Sequence, residues 1–183
     1  MKIENTKVYG LDESIIASGY PMSANIDDVD YNNKRAEKLA KAKPGTGHNC
    51  YLKGVTIQAD ITAPQYWWLQ YGRYHFADIV SSQSKMHRIT NMDIAEQCNR
   101  YVDERAIELL ESIIDRYNQG FDSFQRVVSN CPMGLNLTAR ITSNYLQEKT
   151  IYQQRKNHKL AEWQYYCDWL KGLPKGKLIT SGV

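Results

Sequence analysis

The stretch Leu135-Asn136-Leu137-Thr138-Ala139-Arg140-Ile141-Thr142-Ser143-Asn144, running on through Tyr145 to Trp163, decides how this chain is read. Its spacing predicts one long helix, Leu135 to Trp163. Successive helical residues turn by about 100°. Asn144, Glu148, Ile151 and Arg155 therefore fall at i, i+4, i+7 and i+11, along one stripe. Three of the four are polar, and the neighbouring faces supply Leu137, Ile141, Tyr145 and Tyr152. Such a stripe is either a line of groups aimed at a ligand or a solvated face carrying an ion pair.

Working outward, Leu52 to Ile61 alternates well (Val55, Ile57, Ala59, Ile61) and reads as the best strand. Pro64 opens a helix at its first turn, where a missing N–H costs nothing. That helix runs from Gln65 to Phe76 and is packed with aromatics, with Gly72 in its middle. Lys7 to Tyr9 reads as a short strand, and Ser14 to Ser18 as another apolar run. Asn32 to Lys43 reads as an exposed basic helix. Pro44-Gly45-Thr46-Gly47-His48 is a turn, without the Lys-Ser/Thr ending of a phosphate loop. Ser81 to His87 is a hydroxyl-rich loop. Short helical segments follow at Asp93 to Arg100 and Phe121 to Val128, around a clear amphipathic helix at Asp103 to Asn118 that Gly120 ends. His158 to Leu170 forms the last helix, and residues 171–183 read as a mobile tail. Strands do not alternate regularly with helices. The expected class is α+β, a small, mostly antiparallel central sheet flanked by helices, in one domain over residues 1–183.

With 183 residues the chain is long enough to bury a core. A net charge of +3, spread along the chain, lacks the concentrated basic footprint of a nucleic-acid binder but suits a phosphorylated small molecule. Thirteen tyrosines and four tryptophans fit ligand pockets, interfaces or an aromatic core. The four cysteines are scattered with no CxxC pair, so no metal site is expected. Met1 to Lys7 is polar rather than signal-like, and no run of about 18 apolar residues exists. The expected setting is a reducing cytoplasm, with no membrane partner.

Two segments resemble the flavin-dependent thymidylate synthases, the ThyX family. In the first, Val55 to Pro64 leads into the aromatic helix. Arg73-Tyr74-His75 then stands where the family has Arg-His-Arg, and Ser81-Ser82-Gln83-Ser84 stands where it has a Ser/Asn-Glu-x-Ser-x-Arg-Tyr loop. In the second, Pro132, Thr138, Asn144 and Arg155 reproduce the family's order and its Asn-to-Arg interval, and Ala161-Glu162-Trp163 is a near match. The departures are specific: the loop Glu is Ser82, the loop Arg is Lys85 or Met86, and Tyr74 and His75 replace the family's His and second Arg. These relaxed motifs suggest a divergent, phage-type branch.

The resemblance implies reductive methylation of dUMP, or a related deoxyuridine nucleotide. The cofactor would be FAD, with NADPH and methylenetetrahydrofolate as co-substrates. It also implies a homotetramer with sites between subunits. Arg155 and Asn144 would be the catalytic pair. A guanidinium grips a pyrimidine or flavin edge with two parallel bonds, and an amide offers both donor and acceptor. His48, Arg73, His75 and Asn144 would hold the cofactor. Ser82, Ser84, Lys85, Arg88 and Arg155 would hold the nucleotide, with His87 and Arg88 standing in for the missing Arg-Tyr pair.

Each residue has a structural alternative. Arg155 would form an ion pair with Glu148, with Glu162 or with another helix. Asn144 would bond backbone, and His75 would be a satisfied core histidine. Trp67 and Trp68 would pack the core rather than a ligand ring. A catalytically silent nucleotide-binding protein on the same fold is the competing function.

Overall fold

The computed structural model describes residues 1–43 and 45–182. Four strands, β1 (Lys2–Tyr9), β2 (Thr56–Pro64), β3 (Asp78–Ser82) and β4 (Asn136–Asn144), form one antiparallel sheet in the order β1-β2-β4-β3. The helices are α1 (Leu11–Ala17), α2 (Asn33–Ala40), α3 (Gln65–Tyr71), α4 (Lys85–Arg88), α5 (Ile94–Gln97), α6 (Glu104–Asn118), α7 (Phe124–Ser129), α8 (Tyr145–Arg155), α9 (Ala161–Gly172) and α10 (Lys177–Thr180). The class is α+β, as expected.

The sheet is built on β2 and β4, which pair without a break from Thr56 opposite Asn144 to Pro64 opposite Asn136. Strand side chains alternate between faces. Ile57, Ala59, Ile61 and Ala63 of β2 meet Ser143, Ile141, Ala139 and Leu137 of β4 on the covered face. Gln58, Asp60, Thr62, Thr138, Arg140 and Thr142 share the other, where Arg140 pairs with Asp60 at 3.0 Å. Both edge strands break register once, β1 between Glu4 and Lys7 and β3 between Ile79 and Ser81, which blunts their exposed hydrogen-bonding edges.

The expected helix from Leu135 to Trp163 is therefore a strand, a helix and the start of another helix. Leu137 and Ile141 are four apart, a spacing that fits one face of a helix and one face of a strand equally. Buried Ala139 between them settles it, because i, i+2 and i+4 share a face only in a strand. Other differences are smaller. Ser14 to Ser18 lies in and just after α1, and the expected mid-helix Gly72 instead ends α3 as its C-cap. Ser81 and Ser82 belong to β3 rather than a loop. Pro44, at the head of the expected turn, and Val183 lie outside the described residues.

Helices α3, α8 and α9 cover the sheet with an aromatic core. Trp67, Tyr71, Trp163 and Tyr166 are fully buried, with ring centroids 4.8 Å apart for Trp67 and Trp163 and 5.0 Å for Trp67 and Tyr71. A second cluster under α5, α6 and α7 joins Ile94, Leu110, Ile113 and Val127 to Leu135. The segment expected as a mobile tail is packed. Leu178 and Ile179 of α10 are buried in the main core, and Lys149 of α8 donates to the Ser181 carbonyl. Apolar burial outweighs the ordering of a short, polar-looking segment. Ile179→Ala should therefore cost roughly 2–5 kcal/mol in a urea melt; a loose tail would show no change.

Candidate functional site

Both central strands run into helices without a loop, β2 into α3 at Pro64 and Gln65, and β4 into α8 at Asn144 and Tyr145. Asn144 makes the second switch as an N-cap, its side-chain oxygen accepting from the Gln147 N–H at 3.0 Å. The acceptor of its amide is thus occupied, while the amide nitrogen stays available as a donor. Eleven residues at about 1.5 Å each place Arg155 roughly 16 Å further on. The stripe between them is neither a ligand-facing line nor a solvated face: Glu148 and Ile151 are fully buried.

Arg155 forms no ion pair among the described residues, although its sequence neighbours suggested one with Glu148 or Glu162. Its Nε donates to the Tyr74 hydroxyl at 2.6 Å, and one terminal nitrogen donates to Gln70 Oε1 at 3.2 Å. Gln70 Oε1 also accepts from the Trp163 indole at 2.9 Å, and the guanidinium lies 4.5 Å from the Trp163 ring centre. Neutral groups therefore fix the orientation of the charge without cancelling it. Glu162 is instead taken by the Tyr66 hydroxyl.

Arg155 lines a cleft of about 400 Å³ with Arg73, Tyr74, His75, Phe76, Gln147, Thr150 and Gln154. Arg73 and His75 are exposed, and their side chains have no hydrogen-bond partner among the described residues, so His75 is not a satisfied core histidine. The lining holds two guanidiniums, an imidazole and aromatic rings but no carboxylate, which suits an anionic ligand with a flat ring. Asn144 lines a neighbouring cleft of about 220 Å³ with Lys53, Thr56 and Asp78; Phe76 lines both. At Phe76 the backbone takes the left-handed conformation, φ 62°, and its ring is exposed.

The remaining expected residues do not join this cleft. Ser82 and Lys85 line a separate, mostly apolar cleft of about 370 Å³ with Trp68, Leu69, Ile79 and Met133. There Lys85 Nζ donates to Gln65 Oε1 at 2.7 Å. They sit on β3, an edge strand of the sheet, and on α4, and line a cleft that shares no residue with the one at Arg155. Exposed Arg88 and His48 and half-buried Ser84 line none of these clefts. Trp67 packs the core, and Trp68 donates its indole N–H to the Leu137 carbonyl at 3.0 Å.

This architecture matches solved enzymes. Thymidylate synthase X from Helicobacter pylori, solved with FAD and dUMP, superposes with a TM-score of 0.77 at 14% identity, over 96% of this chain and 95% of that one. A second structure of the Helicobacter pylori enzyme with FAD and dUMP gives 0.75 at 14% identity, over 95% and 94%. The UMP/dUMP methylase PolB from Streptomyces cacaoi, bound with 5-Br dUMP, gives 0.70 at 11% identity, over 93% and 88%. At such identities the likeness establishes a shared fold. No protein-family profile matches the sequence, and no curated protein is matched by sequence.

Beneath the cleft lies a group that the sequence reading placed only in the stripe. Glu148 is fully buried, one carboxyl oxygen accepting from the Tyr166 hydroxyl at 2.8 Å. Its other oxygen, Ser143 Oγ and the Tyr71 hydroxyl have no hydrogen-bond partner among the described residues. Burial pushes the carboxyl up to about 7, offset only in part by nearby Ser143 and by Tyr166. The unfolded chain releases this proton near the ordinary value of 4.5, so the folded state binds more protons in between. The Glu148 contribution is at its best below about pH 4.5 and is lost as pH rises through about 7. The total loss is on the order of 3 kcal/mol. Glu148→Gln should flatten that part of the stability profile in urea melts from pH 5 to 8; an unchanged slope would remove Glu148 as its source.

Proposed function

We propose that this chain is a flavin-dependent, thymidylate synthase-like enzyme that methylates dUMP, or a related deoxyuridine nucleotide, using FAD, NADPH and methylenetetrahydrofolate. The observation that carries the proposal is the cation-lined, carboxylate-free cleft at Arg155, on a fold shared over nearly its whole length with enzymes solved with FAD and dUMP. Arg73 and His75, without side-chain hydrogen-bond partners among the described residues, fit an anionic cofactor. FAD, when bound, supplies the hydride relay between NADPH and the pyrimidine. The protein's part is binding and orientation. Arg155 would contact the pyrimidine or flavin edge through its remaining N–H groups, held in place by Tyr74, Gln70 and Trp163. The Asn144 amide nitrogen would donate to the same planar ligand system from the adjoining cleft.

The same reading extends to an assembly of copies. Ser82 and Lys85 belong with the nucleotide only if a second copy brings them to the Arg155 cleft. The exposed Leu69, Ile79, Val80 and Met133 around them are a surface of the kind that copies bury. A homotetramer with shared sites is the form proposed, with exposed His48 and Arg88 and half-buried Ser84 reaching ligands held by a partner. Four unpaired thiols suit a cytoplasmic setting.

The silent-binder reading is favoured by two details: the Asn144 oxygen is committed to its cap, and Lys85, in place of the family's loop Arg, is tied to Gln65. Absorbance after FAD loading and desalting, followed by dUMP-dependent NADPH oxidation with methylenetetrahydrofolate, separates the two. Retained flavin with turnover is expected. Nucleotide binding without turnover selects the silent binder, and no binding of either ligand ends both readings. Arg155→Lys, which keeps the charge but loses the planar fork, should weaken dUMP binding about tenfold or more.

A further inference from the structure

We propose that the Phe76 ring is the stacking wall of the ligand site, carrying a flat heteroaromatic ring with an imide edge across the junction of the Arg155 and Asn144 clefts. The inference rests on the flavin and nucleotide reading above and adds a binding residue to it.

Phe76 bears two costs that nothing in the described chain returns. Its backbone is left-handed, φ 62°, a region that glycine and asparagine enter readily and bulky side chains rarely. Such conformations persist where the surroundings force them, and they gather at binding sites. Here both neighbours are fixed. The Tyr74 hydroxyl accepts from Arg155 Nε at 2.6 Å and donates to Gln154 Oε1 at 3.1 Å. Ala77 is buried in the main core, just before β3 begins at Asp78. The turn between them holds Phe76 left-handed with its side chain outward. Phe76 is 74% exposed and belongs to neither apolar cluster, so its ring contributes little to the fold. Asparagine or glycine would make the same turn without either cost.

The place of the ring indicates what it serves. Phe76 is the one residue that lines both the cleft of about 400 Å³ at Arg155 and the cleft of about 220 Å³ at Asn144. On one side stand Arg73, His75 and Arg155, cations for the anionic part of a ligand. On the other, the Asn144 amide nitrogen is a donor and the Asp78 carboxylate an acceptor. A donor and an acceptor together answer the C=O and N–H of an imide edge, which uracil and isoalloxazine both carry. A ring stacked on Phe76 can turn that edge to the smaller cleft while its phosphate-bearing side stays with the cations.

Calorimetric titration of the chain with dUMP and with FAD, in separate experiments, tests this. Phe76→Leu keeps an apolar side chain without a flat face, and Phe76→Asn suits the left-handed backbone. Both should weaken the ligand whose ring lies on Phe76 about tenfold. Phe76→Tyr, which keeps the face, should stay within about twofold of the wild type. The urea midpoint of Phe76→Asn should not fall, so lost binding is not lost folding. The ligand that weakens is the one whose ring lies there. Binding that Phe76→Leu leaves unchanged overturns the proposal and spares the enzymatic reading, as does equal weakening in Phe76→Tyr. A wild type that binds neither ligand removes that reading and the proposal with it. If light scattering without ligand shows that loss of the ring dissociates an assembly, the ring belongs to a contact between copies and the proposal fails.

Discussion

The β2 and β4 ladder is the constraint on which the rest depends. Because these strands are antiparallel and each turns directly into a helix, α3 and α8 leave from opposite ends of the same pair. Both fold back over the one apolar face the ladder offers. Their far ends then meet, and the meeting point is the contact of Tyr74 and Gln70 with Arg155. A looser junction at either end would let the helices slide and carry Arg155 off the Trp163 ring. Pro64 and Asn144 make the junctions tight in different ways. Proline has a fixed φ and no N–H to leave unpaired. Asparagine supplies the missing acceptor for the first turn.

Charge in the site follows from what the core can tolerate. Arg155 is half-buried beside aromatic rings, where a naked ion would be costly, yet it is held by a phenol, a primary amide and an indole face rather than by a carboxylate. That arrangement satisfies geometry while leaving the positive potential directed outward. A carboxylate partner would have been electrostatically better for the isolated chain and worse for binding an anion. The one carboxyl close by in the core, Glu148, is largely neutral at low pH, bonded to Tyr166 and turned away from the cleft.

Much of this was legible in residues and spacing. The class, the β2 strand, α6 and the Arg73 to His75 segment followed from alternation, amphipathicity and motif order. The stripe drew attention to Asn144 and Arg155, the family resemblance gave them their roles, and the chain places them in two clefts that share Phe76. What was not legible had physical causes. A strand and a helix both fit residues four apart, so β4 was hidden until its register with β2 existed. The tail looked polar because its apolar residues, Leu173, Leu178 and Ile179, are spaced among lysines and glycines. They become a core only against α8 and α9. Ser82 and Lys85 lie close to Arg73 in sequence, but β3 carries them to the sheet edge, a displacement no local pattern encodes.

The difficulty in reading α8 comes from the number of demands on it. Glu148 and Lys149 are adjacent and both buried, but about 100° apart on the helix they cannot pair with each other. Glu148 is answered by Tyr166 of α9, and Lys149 by the carbonyls of the C-terminal segment. Arg155 answers to α3 and Trp163, and Leu146 and Gln153 to a cleft beside the turn at Gly45 and Gly47. A helix with four different neighbours has no single apolar face, so its hydrophobic pattern is weak although its burial is deep. Each polar residue that blurs the pattern does so because it is matched to one neighbour. The register of α8 is therefore set by specific polar contacts as much as by apolar packing, and a slide of one residue would break several of them together.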